Sequence, residues 1–424
     1  MDKKINIFGI TANSLIIIAV LMAFYNLPNQ LLVIVAAVLI MTFGTYTFFL
    51  IQRNVLNPKM KWLNILAFIF LLLFTISLLI FLTKIPIIRV IPFKAISLIT
   101  FLFVLWYLFN EIYKKRLSIK NVSFLHYFLL FILLLFVVLP VENQLADIYY
   151  KPNINNPAYN KNKGSVIYID AGHNNYHTLK DRLYSTGKLL ERDGYQVFSY
   201  NQKINLDSLK KCKIFIIVNA LNEKNDKWET PIYSAFTKKE INDITQWVSE
   251  GGSLFLVADH MPFAGAASDL ASNFGFKYEN GHAKHFSQNR DYFTRKTKTL
   301  GNNTITNGRN NNEKIDSILT FSGSAFTIPD SAISILKFDT TWYNYNPKTA
   351  WNYDGIEPFS IKGYSQGAYK SFGKGRIVVF GEAMMFTAQL GGGFSFMKLG
   401  MNSKDCPDNH ILLLNIIHWL DRII

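Results

Sequence analysis

Three short apolar stretches of this 424-residue chain end abruptly in residues that can do acid–base or metal chemistry. The stretches and the residues that follow them are Val166–Ile169 with Asp170, Leu254–Ala258 with Asp259 and His260, and Ile377–Phe380 with Glu382. A continuous apolar run is typical of a buried parallel strand, and open α/β sheets bind ligands at the carboxyl ends of their strands. The pattern therefore predicts one polar site along one edge of a sheet.

Two histidines follow the first stretch closely and suggest metal binding. His173 and His177 are four residues apart, so they would share one face if the helix that follows has already begun there. Together with Asp170 and His260 they would supply the nitrogen and oxygen ligands that zinc or a similar divalent metal prefers. We therefore predict Asp170, His173, His177 and His260 as candidate metal ligands.

The remaining polar residues at these strand ends are candidates for acid–base catalysis and for substrate binding. A bound cation would lower the pKa of its water and supply hydroxide near neutral pH. Glu382 and Asp259 are then the candidate catalytic acid and base. Asn174, Asn175 and Asn219 are the candidate substrate-binding residues, because they lie at the same predicted edge.

Each of these residues also has a purely structural explanation. Asp170 could cap the following helix, and His173 or His177 could be an ordinary satisfied histidine. Asp259 and His260 could hold a turn, and Glu382 could accept backbone N–H groups from a loop. Taken singly, the structural explanation is favoured for each residue, whereas their convergence on one edge favours a ligand site.

Alternating strand and helix patterns predict how these residues are positioned. From residue 165 onward, apolar strands alternate with helical segments, which is the signature of βαβ units and a parallel sheet covered on both faces. A capping box, Thr237 to Glu240, opens one helix, and Gly251 with Gly252 ends it. The first helix is expected over about Thr178–Arg192. Residues 281–312 depart from the alternation, and their His282 and His285 are expected to be exposed to solvent. Residues 313–372 predict a β-rich insertion or sheet edge. An amphipathic helix over 411–420 closes the chain.

The front of the chain predicts a membrane domain. Five apolar segments are each close to the roughly 20 residues that a helix needs to cross a bilayer; they are Phe8–Tyr25, Leu31–Ile51, Trp62–Leu82, Ile91–Leu108 and Phe124–Val141. The positive-inside rule places the N-terminus in the cytoplasm and the large domain outside. We therefore expect a multi-pass cell-membrane protein with a membrane domain over 1–145, a linker over 146–164 and an extracytoplasmic α/β domain over 165–424.

Charge and cysteine content exclude some other classes. The first 145 residues carry 12 Lys and Arg against 3 Asp and Glu, so much of the formal net charge of +15 lies in the apolar front. The rest shows no basic stripe with interleaved aromatic residues, so nucleic acid is not an expected partner. The two cysteines, Cys212 and Cys406, are not expected to form a disulfide.

A series of motifs resembles the class I glutamine amidotransferase-like superfamily. The motifs are DAGHNNYHT, DGYQV, VNALN, WVSEGGSLFLVADHMPFAGAASDL and GKGRIVVFGEAMMF, and they extend over about residues 164–424. More narrowly, the chain resembles an uncharacterised, often membrane-attached bacterial branch of that superfamily. The resemblance implies a flavodoxin-like three-layer α/β/α fold. Members with glutaminase activity carry a cysteine on a sharp turn after a core strand, where this chain has Asp259 and His260, so a thiol glutaminase is not expected.

Two functions from different classes follow from these observations. The first is a hydrolase, metal-assisted in one version, that acts on an envelope component such as a peptide or saccharide. The second is a non-catalytic module that binds a small molecule or serves as a scaffold in a membrane complex or transporter. The expected partners are accordingly the lipid bilayer, a small ligand and a membrane protein.

Overall fold

The structure is a computed structural model that describes residues 98–99, 101–102, 105–106, 113, 144–286, 291–391 and 397–424. The described residues from Gln144 onward belong to one compact unit, Glu142–Ile424. All elements named below lie in this unit.

The prediction of an N-terminal α-helical membrane domain is wrong. The predicted multi-pass membrane localisation is wrong with it. Within the described ranges, no helix combines the length and the apolar character that crossing a bilayer requires. Only the predicted span Ile91–Leu108 contains described residues, which are 98–99, 101–102 and 105–106. The other four predicted spans lie outside the described residues. What the structure does describe is an α/β fold with many strands.

The unit alternates strands and helices in its first half and is rich in strands in its second half. The strands are β1 (Gln144–Ala146), β2 (Val166–Asp170), β3 (Gln196–Tyr200), β4 (Ile214–Val218), β5 (Ser253–Val257), β6 (Lys277–Tyr278), β7 (His282–His285), β8 (Asp291–Thr294), β9 (Ser317–Thr320), β10 (Phe326–Thr327), β11 (Ile333–Lys337), β12 (Trp342–Tyr345), β13 (Phe359–Ser360), β14 (Ser365–Phe372), β15 (Gly375–Phe380), β16 (Ala388–Gly391) and β17 (Met397–Gly400). The α-helices are α1 (Tyr184–Arg192), α2 (Leu206–Leu209), α3 (Lys238–Glu250), α4 (Phe263–Asn273), α5 (Thr304–Asn307) and α6 (Asn409–Leu420).

The main sheet has a parallel core with the strand order β3-β2-β4-β5-β15. Numbered along the chain, these five strands follow the flavodoxin-like order 2-1-3-4-5, in which ligands bind outside the carboxyl ends of the strands. The sheet continues through β14, β10 and β6, which pair antiparallel, and β11 pairs with β14. The stretch predicted as a β-rich insertion therefore extends one edge of the core sheet.

The two faces of the sheet are covered by separate hydrophobic cores. In β4, which is buried throughout, Ile214 and Ile216 belong to one core while Phe215 and Ile217 belong to the other. This alternation follows from the two-residue period of a strand, and a strand with both faces buried needs an unbroken apolar run. The run of five apolar residues is thus explained by the three-layer packing.

Helix α3 begins and ends where its sequence predicts. Its first turn has the capping box, in which Thr237 accepts from the Glu240 backbone N–H and the Glu240 carboxylate accepts from the Thr237 N–H at 2.9 Å. Gly251 ends the helix with φ of +125°, a conformation that glycine adopts without steric cost. At the start of β15, a Cβ on Gly375 would lie 1.9 Å from the Val248 carbonyl oxygen, so only glycine fits beside this helix.

Two helical predictions differ from the structure. The helix predicted from Thr178 begins at Tyr184, because residues 178–183 form turns. The closing helix α6 is not amphipathic. From Leu412 through Leu420 every residue is buried, including the polar Asn415 and His418. A helix that is buried on all sides has no polar stripe facing solvent.

The segment predicted as a linker packs against the folded unit. The Tyr159 hydroxyl donates to the Asp421 carboxylate at 2.6 Å, and the Ser165 hydroxyl donates to the other oxygen of that carboxylate at 2.6 Å. Cys212 and Cys406 are both buried, and they do not form a disulfide with each other. Burial raises the pKa of the Cys212 thiol to about 12, so this thiol is not a thiolate at neutral pH.

Candidate functional site

Polar residues follow the carboxyl ends of four adjacent strands, as the sequence predicts. Asp170 ends β2, Asn219 follows β4, Asp259 follows β5 and Glu382 follows β15. Asn219 has the left-handed φ of +47°, and its side-chain oxygen accepts from the Asp259 backbone N–H at 2.8 Å. We call this group, with the loop 171–178 and the His260 and His282 side chains described below, the rim site.

Asp170 is fully buried and organises the loop that follows it. Its carboxylate accepts from the Gly172 backbone N–H at 3.2 Å and from the Asn175 amide at 3.0 Å. His173 Nδ1 lies 3.0 Å from both carboxylate oxygens. His173 Nε2 lies 3.2 Å from a Glu240 carboxylate oxygen. His173 therefore sits between two carboxylates, with both ring nitrogens engaged.

The pKa values of this cluster agree with a charged imidazole. Burial opposes the charged form of His173, but the hydrogen bonds and charges of Asp170 and Glu240 outweigh it and raise the pKa of His173 above 6.5. Burial likewise opposes the ionised form of Glu240. The Thr237 hydrogen bonds and His173 outweigh it and lower the pKa of Glu240 below 4.5. His173 is thus a structural cation that ties the loop 171–178 to helix α3.

The His173 cluster predicts a specific pH dependence of stability. A raised folded-state pKa stabilises the protein below pH 6.5, and this stabilisation is lost as the pH rises through the folded-state value. We expect His173→Gln to cost about 2 kcal/mol at pH 6, as for hydrogen bonds to charged groups, and clearly less at pH 9. Urea unfolding at the two pH values measures the difference.

A matched control for this experiment is His410→Gln. Burial lowers the pKa of His410, so its contribution to stability is lost as the pH falls below about 6.5, and the cost of His410→Gln should not be larger at pH 6 than at pH 9. A cost of His173→Gln that is equal at pH 6 and pH 9 would show that the imidazole is not charged in the folded protein.

His177 is buried and hydrogen-bonded on one side only. Its Nδ1 lies 3.0 Å from the Asn219 side-chain nitrogen, which can only donate, so Nδ1 accepts and Nε2 carries the proton. Burial, with smaller effects of Arg182 and His260, lowers the pKa of His177 to about 3. No described residue hydrogen-bonds to the buried Nε2. A neutral N–H donor is therefore left at the rim site.

His260 and His282 form a stacked pair. Their ring centroids are 4.5 Å apart with an interplanar angle of 15°, and the Trp351 ring lies 4.5 Å from the first and 4.4 Å from the second. His260 Nδ1 lies 2.7 Å from the Met261 carbonyl oxygen. His282 is 0% exposed, and neither of its ring nitrogens has a hydrogen-bond partner among the described residues. Burial, with smaller effects of His260 and Lys284, lowers the pKa of His282 to about 3.

Aromatic rings connect His177 to the His260–His282 pair. The Trp228 ring lies 5.7 Å from the Tyr176 ring, 5.2 Å from Phe263 and 6.1 Å from His260. Tyr176 also lies 5.4 Å from the His177 ring. The rim site therefore has a continuous aromatic wall with imidazole nitrogens set into it.

Glu382 is the buried member of a carboxyl pair. Its two oxygens accept from the backbone N–H groups of Met384 and Met385 at 2.6 and 2.8 Å. Burial in the first place, and then the charge of Asp259, raise the pKa of Glu382 well above its usual range. The Asp259 carboxylate accepts from the His260 backbone N–H at 2.8 Å.

The imidazoles among the predicted metal ligands are engaged by other groups in the structure. His173 is engaged by two carboxylates, His177 by Asn219 and His260 by a carbonyl oxygen. Within the part of the chain that the structure describes, no three His, Cys, Asp or Glu side chains group as metal ligands. His173 and His177 also precede helix α1, so they do not share a helix face.

The predicted substrate-binding asparagines have different positions. Asn175 is committed to the loop, because its amide donates to Asp170 and to the Val218 carbonyl oxygen. Asn174 is exposed and has a left-handed φ of +44°, which is typical of a turn. Asn219 bridges His177 and Asp259, as described above. Asn174 alone presents a side chain to solvent.

Sequence reasoning missed several residues of the rim site. Glu240 was recognised as part of a capping box, but nothing in the sequence links it to His173, 67 residues earlier. His282 was expected to be solvent-exposed with His285, whereas it is buried against His260. Trp228 and Trp351 carried no recognisable signal.

Comparison with known proteins gives similarity at the level of the fold. No protein-family model and no curated protein matches the chain. Among solved structures, the N-terminal domain of mmIFT52 is 13% identical with a TM-score of 0.44, covering 60% of this chain and 97% of that one. A ThuA-like protein from Bacteroides uniformis is 11% identical with a TM-score of 0.34, covering 64% and 95%. A GMP synthase-like protein from Thermoplasma acidophilum is 9% identical with a TM-score of 0.33, covering 61% and 94%.

These similarities concern the fold alone and do not assign the chain to a family. They also do not show that the chain belongs to the membrane-attached bacterial branch that its sequence resembles. Because every TM-score given above is below 0.5, the chemistry of the rim site is argued from its own residues.

Proposed function

We propose that the rim site binds a small polar ligand through the neutral imidazoles of His177 and His282. The observation that carries this proposal is that polar residues follow the carboxyl ends of four adjacent parallel strands, close to the imidazoles of His177 and His282, whose His177 Nε2 and both His282 ring nitrogens have no partner among the described residues. Buried polar groups are nearly always hydrogen-bonded in folded proteins, so such atoms mark a place where a ligand supplies the partner.

The lining favours a peptide or saccharide as the ligand. The His177 Nε2–H donates to a carbonyl or hydroxyl oxygen. The wall of Tyr176, Trp228 and Trp351 offers flat apolar surface, which packs against the C–H faces of a sugar ring or an apolar side chain. Asp259 adds an acceptor for a ligand hydroxyl or amide.

Calorimetry with two probes tests this proposal on the full chain. The probes are N,N′-diacetylchitobiose, which carries hydroxyl and amide groups, and trialanine. We expect one of them to bind and the affinity to fall about fivefold in His177→Phe, since a neutral hydrogen bond contributes about 1 kcal/mol.

The control variant is Phe198→Ala, which truncates an exposed aromatic residue on the edge strand β3. Its affinity should equal that of the wild type. Binding that is unchanged in both His177→Phe and His282→Phe would place the ligand elsewhere and contradict the proposal.

A second candidate function is hydrolysis of the bound ligand. The specific observation in its favour is that burial, and then the charge of Asp259, raise the pKa of Glu382, since a carboxyl group with a raised pKa is a candidate general acid. Glu382 would donate a proton to the leaving group, and Asp259 would accept one from the attacking water.

Mass spectrometry of the chitobiose reaction distinguishes hydrolysis from binding alone. If the chain is a hydrolase, we expect N-acetylglucosamine to accumulate and the rate to fall by about 10²-fold or more in Asp259→Asn and in Glu382→Gln. Tight binding without any product would instead support the non-catalytic binding module.

A further inference from the structure

We infer that the outer edge of strand β3 binds an extended acidic peptide segment of a partner protein as an added strand. Among the described strands, β3 pairs with β2 alone, so its other edge is open at one end of the main sheet. An open edge presents main-chain N–H and C=O groups at the spacing of a strand, and peptide-binding proteins use such edges for strand addition. No residue of β3 belongs to the rim site, so the inference goes beyond the function proposed above.

The register of β3 on β2 shows which main-chain groups face inward. The Gln196 N–H donates to the Ser165 carbonyl at 3.2 Å, and the Tyr200 carbonyl accepts from the Ala171 N–H at 2.8 Å. In a parallel ladder, alternate residues of a strand direct both of their main-chain groups to the same neighbour. The even-numbered residues of β3 therefore pair with β2.

The odd-numbered residues, Val197 and Ser199, direct two N–H and two C=O groups to the open edge. Both residues are half-buried, and the Phe198 side chain between them is 50% exposed, so a partner can reach the strand. The strand has no charged residue, no proline and no bulge, which are common devices that keep an edge from pairing. At the other end of the sheet, β6 has only two residues. The edge of β3 is thus the one that can accept a further strand.

A groove of about 850 Å³ lies beside this edge. It is lined by β3, by the end of helix α1 and by the segment 154–162. Ile154 and Val197 line it and pack against one of the two hydrophobic cores. On the other face of the strand, the Phe198 ring lies 6.3 Å from the Tyr168 ring. An added strand has two rows of side chains, so one row lies over the groove and the other beside Phe198.

The charges of the groove select an acidic partner. Lys161 and Arg192 line it and are exposed, and neither forms an ion pair within the described part of the chain. The acid in the lining, Glu191, pairs with Lys188 at 2.6 Å. The remaining ionisable group is Tyr195, and burial raises the pKa of its hydroxyl, so it stays neutral. Carboxylates in the row of side chains over the groove are therefore complementary to it.

The same charges disfavour a second copy of this chain as the occupant. Antiparallel pairing of β3 with β3 of another copy places two grooves side by side. Lys161 and Arg192 of both copies then line one joint. Like charges that face each other across paired strands are destabilising. An acidic segment of a different protein meets no such repulsion.

Fluorescence anisotropy with a labelled heptapeptide of alternating glutamate and valine tests the inference on the full chain. Ser199→Pro and Val197→Pro each remove one outward N–H and keep the ladder with β2, and edge strands tolerate proline. The matched controls, Ser199→Ala and Val197→Thr, keep the N–H. We expect each folded proline variant to bind about fivefold or more weakly, since a hydrogen bond contributes about 1 kcal/mol. Both controls should bind as the wild type does.

Two further peptides separate main-chain pairing from charge and need no variant protein. The same heptapeptide methylated on every main-chain nitrogen donates no main-chain hydrogen bond, so it should bind at least about tenfold more weakly. A heptapeptide of alternating lysine and valine keeps the strand pattern and reverses the charge, and it should be weaker by a similar factor, about tenfold. His177→Phe alters the rim site and should leave binding of the acidic peptide unchanged.

Four results would overturn the inference. They are no binding of the acidic peptide at about 1 mM, equal binding of the methylated or the lysine peptide, proline variants that bind as tightly as their matched controls, and loss of binding in His177→Phe. A dimer in sedimentation that Ser199→Pro dissociates would show instead that a second copy occupies the edge.

Discussion

His282→Phe is expected to stabilise the protein at acid pH while abolishing ligand binding at the rim site. His282 is 0% exposed, has no hydrogen-bond partner among the described residues and has a pKa of about 3. Phenylalanine keeps a ring that packs against His260 and Trp351, and it buries no unpaired nitrogen. The gain arises because an unpartnered buried polar group costs free energy.

The sign of the pH effect follows from the lowered pKa. A histidine that stays neutral when folded contributes no penalty above its unfolded pKa of about 6.5. As the pH falls towards 3, the unfolded state binds a proton that the folded state cannot, so stability is lost. At pH 4 this single group costs about 3 kcal/mol, at about 1.4 kcal/mol per pKa unit. The advantage of His282→Phe over the wild type should therefore grow by that amount between pH 8 and pH 4.

Urea unfolding of both proteins at pH 8 and pH 4, with calorimetry of the rim-site probe at pH 8, measures both effects. The control is His285→Phe on the same strand, whose Nε2 lies 2.8 Å from the Thr341 hydroxyl. That substitution removes a hydrogen bond, so it should lower stability at both pH values. If the advantage of His282→Phe is the same at pH 8 and pH 4, the ring of His282 is not held neutral in the folded protein.

His418→Leu is expected to destabilise the protein by about 3–5 kcal/mol. His418 is 1% exposed and Asp193 is 0% exposed, and their 2.7 Å contact joins helix α6 to the turn after α1. Removing one partner of a buried pair leaves the other charge buried without compensation, which is the costly case.

A second substitution identifies the cause of this loss. Asp193→Asn in the His418→Leu background removes the stranded charge and keeps an acceptor for the Ala158 backbone N–H, which donates to Asp193 at 2.8 Å. The double variant should recover most of the lost stability in urea unfolding. Lys188→Met, which breaks an exposed pair with Glu191, should change stability by less than about 1 kcal/mol. If the double variant is no more stable than His418→Leu, the loss reflects packing rather than charge.

Local patterns in the sequence predicted the parts of this fold that depend on near neighbours. The apolar runs of β2, β4, β5 and β15 and the capping box of α3 are all visible along the chain. The position of Asp170, Asn219, Asp259 and Glu382 at strand ends is visible for the same reason. The membrane domain is where the same approach was wrong: apolar segments of suitable length were taken as spans, and the structure describes no helix that fits one.

Contacts between distant residues decided the chemistry of the site. His173 was predicted as a metal ligand, yet its second carboxylate partner, Glu240, comes from a helix that packs beside it only in the folded sheet. His282 was predicted to be exposed, yet pairing of β7 with β12 buries it and stacks its ring on His260. Neither fact has a sequence signal, since both depend on which elements the tertiary fold brings together.

The sequence by itself therefore determined the buried parallel strands, the capping box of helix α3 and the edge of the sheet at which polar residues gather. The tertiary structure alone decided which imidazoles are charged, which are neutral and which nitrogens lack partners. The physical reason is that strand and helix formation depend on the period of apolar residues over a few positions. Protonation and hydrogen bonding instead depend on burial and on charges brought from elsewhere in the chain.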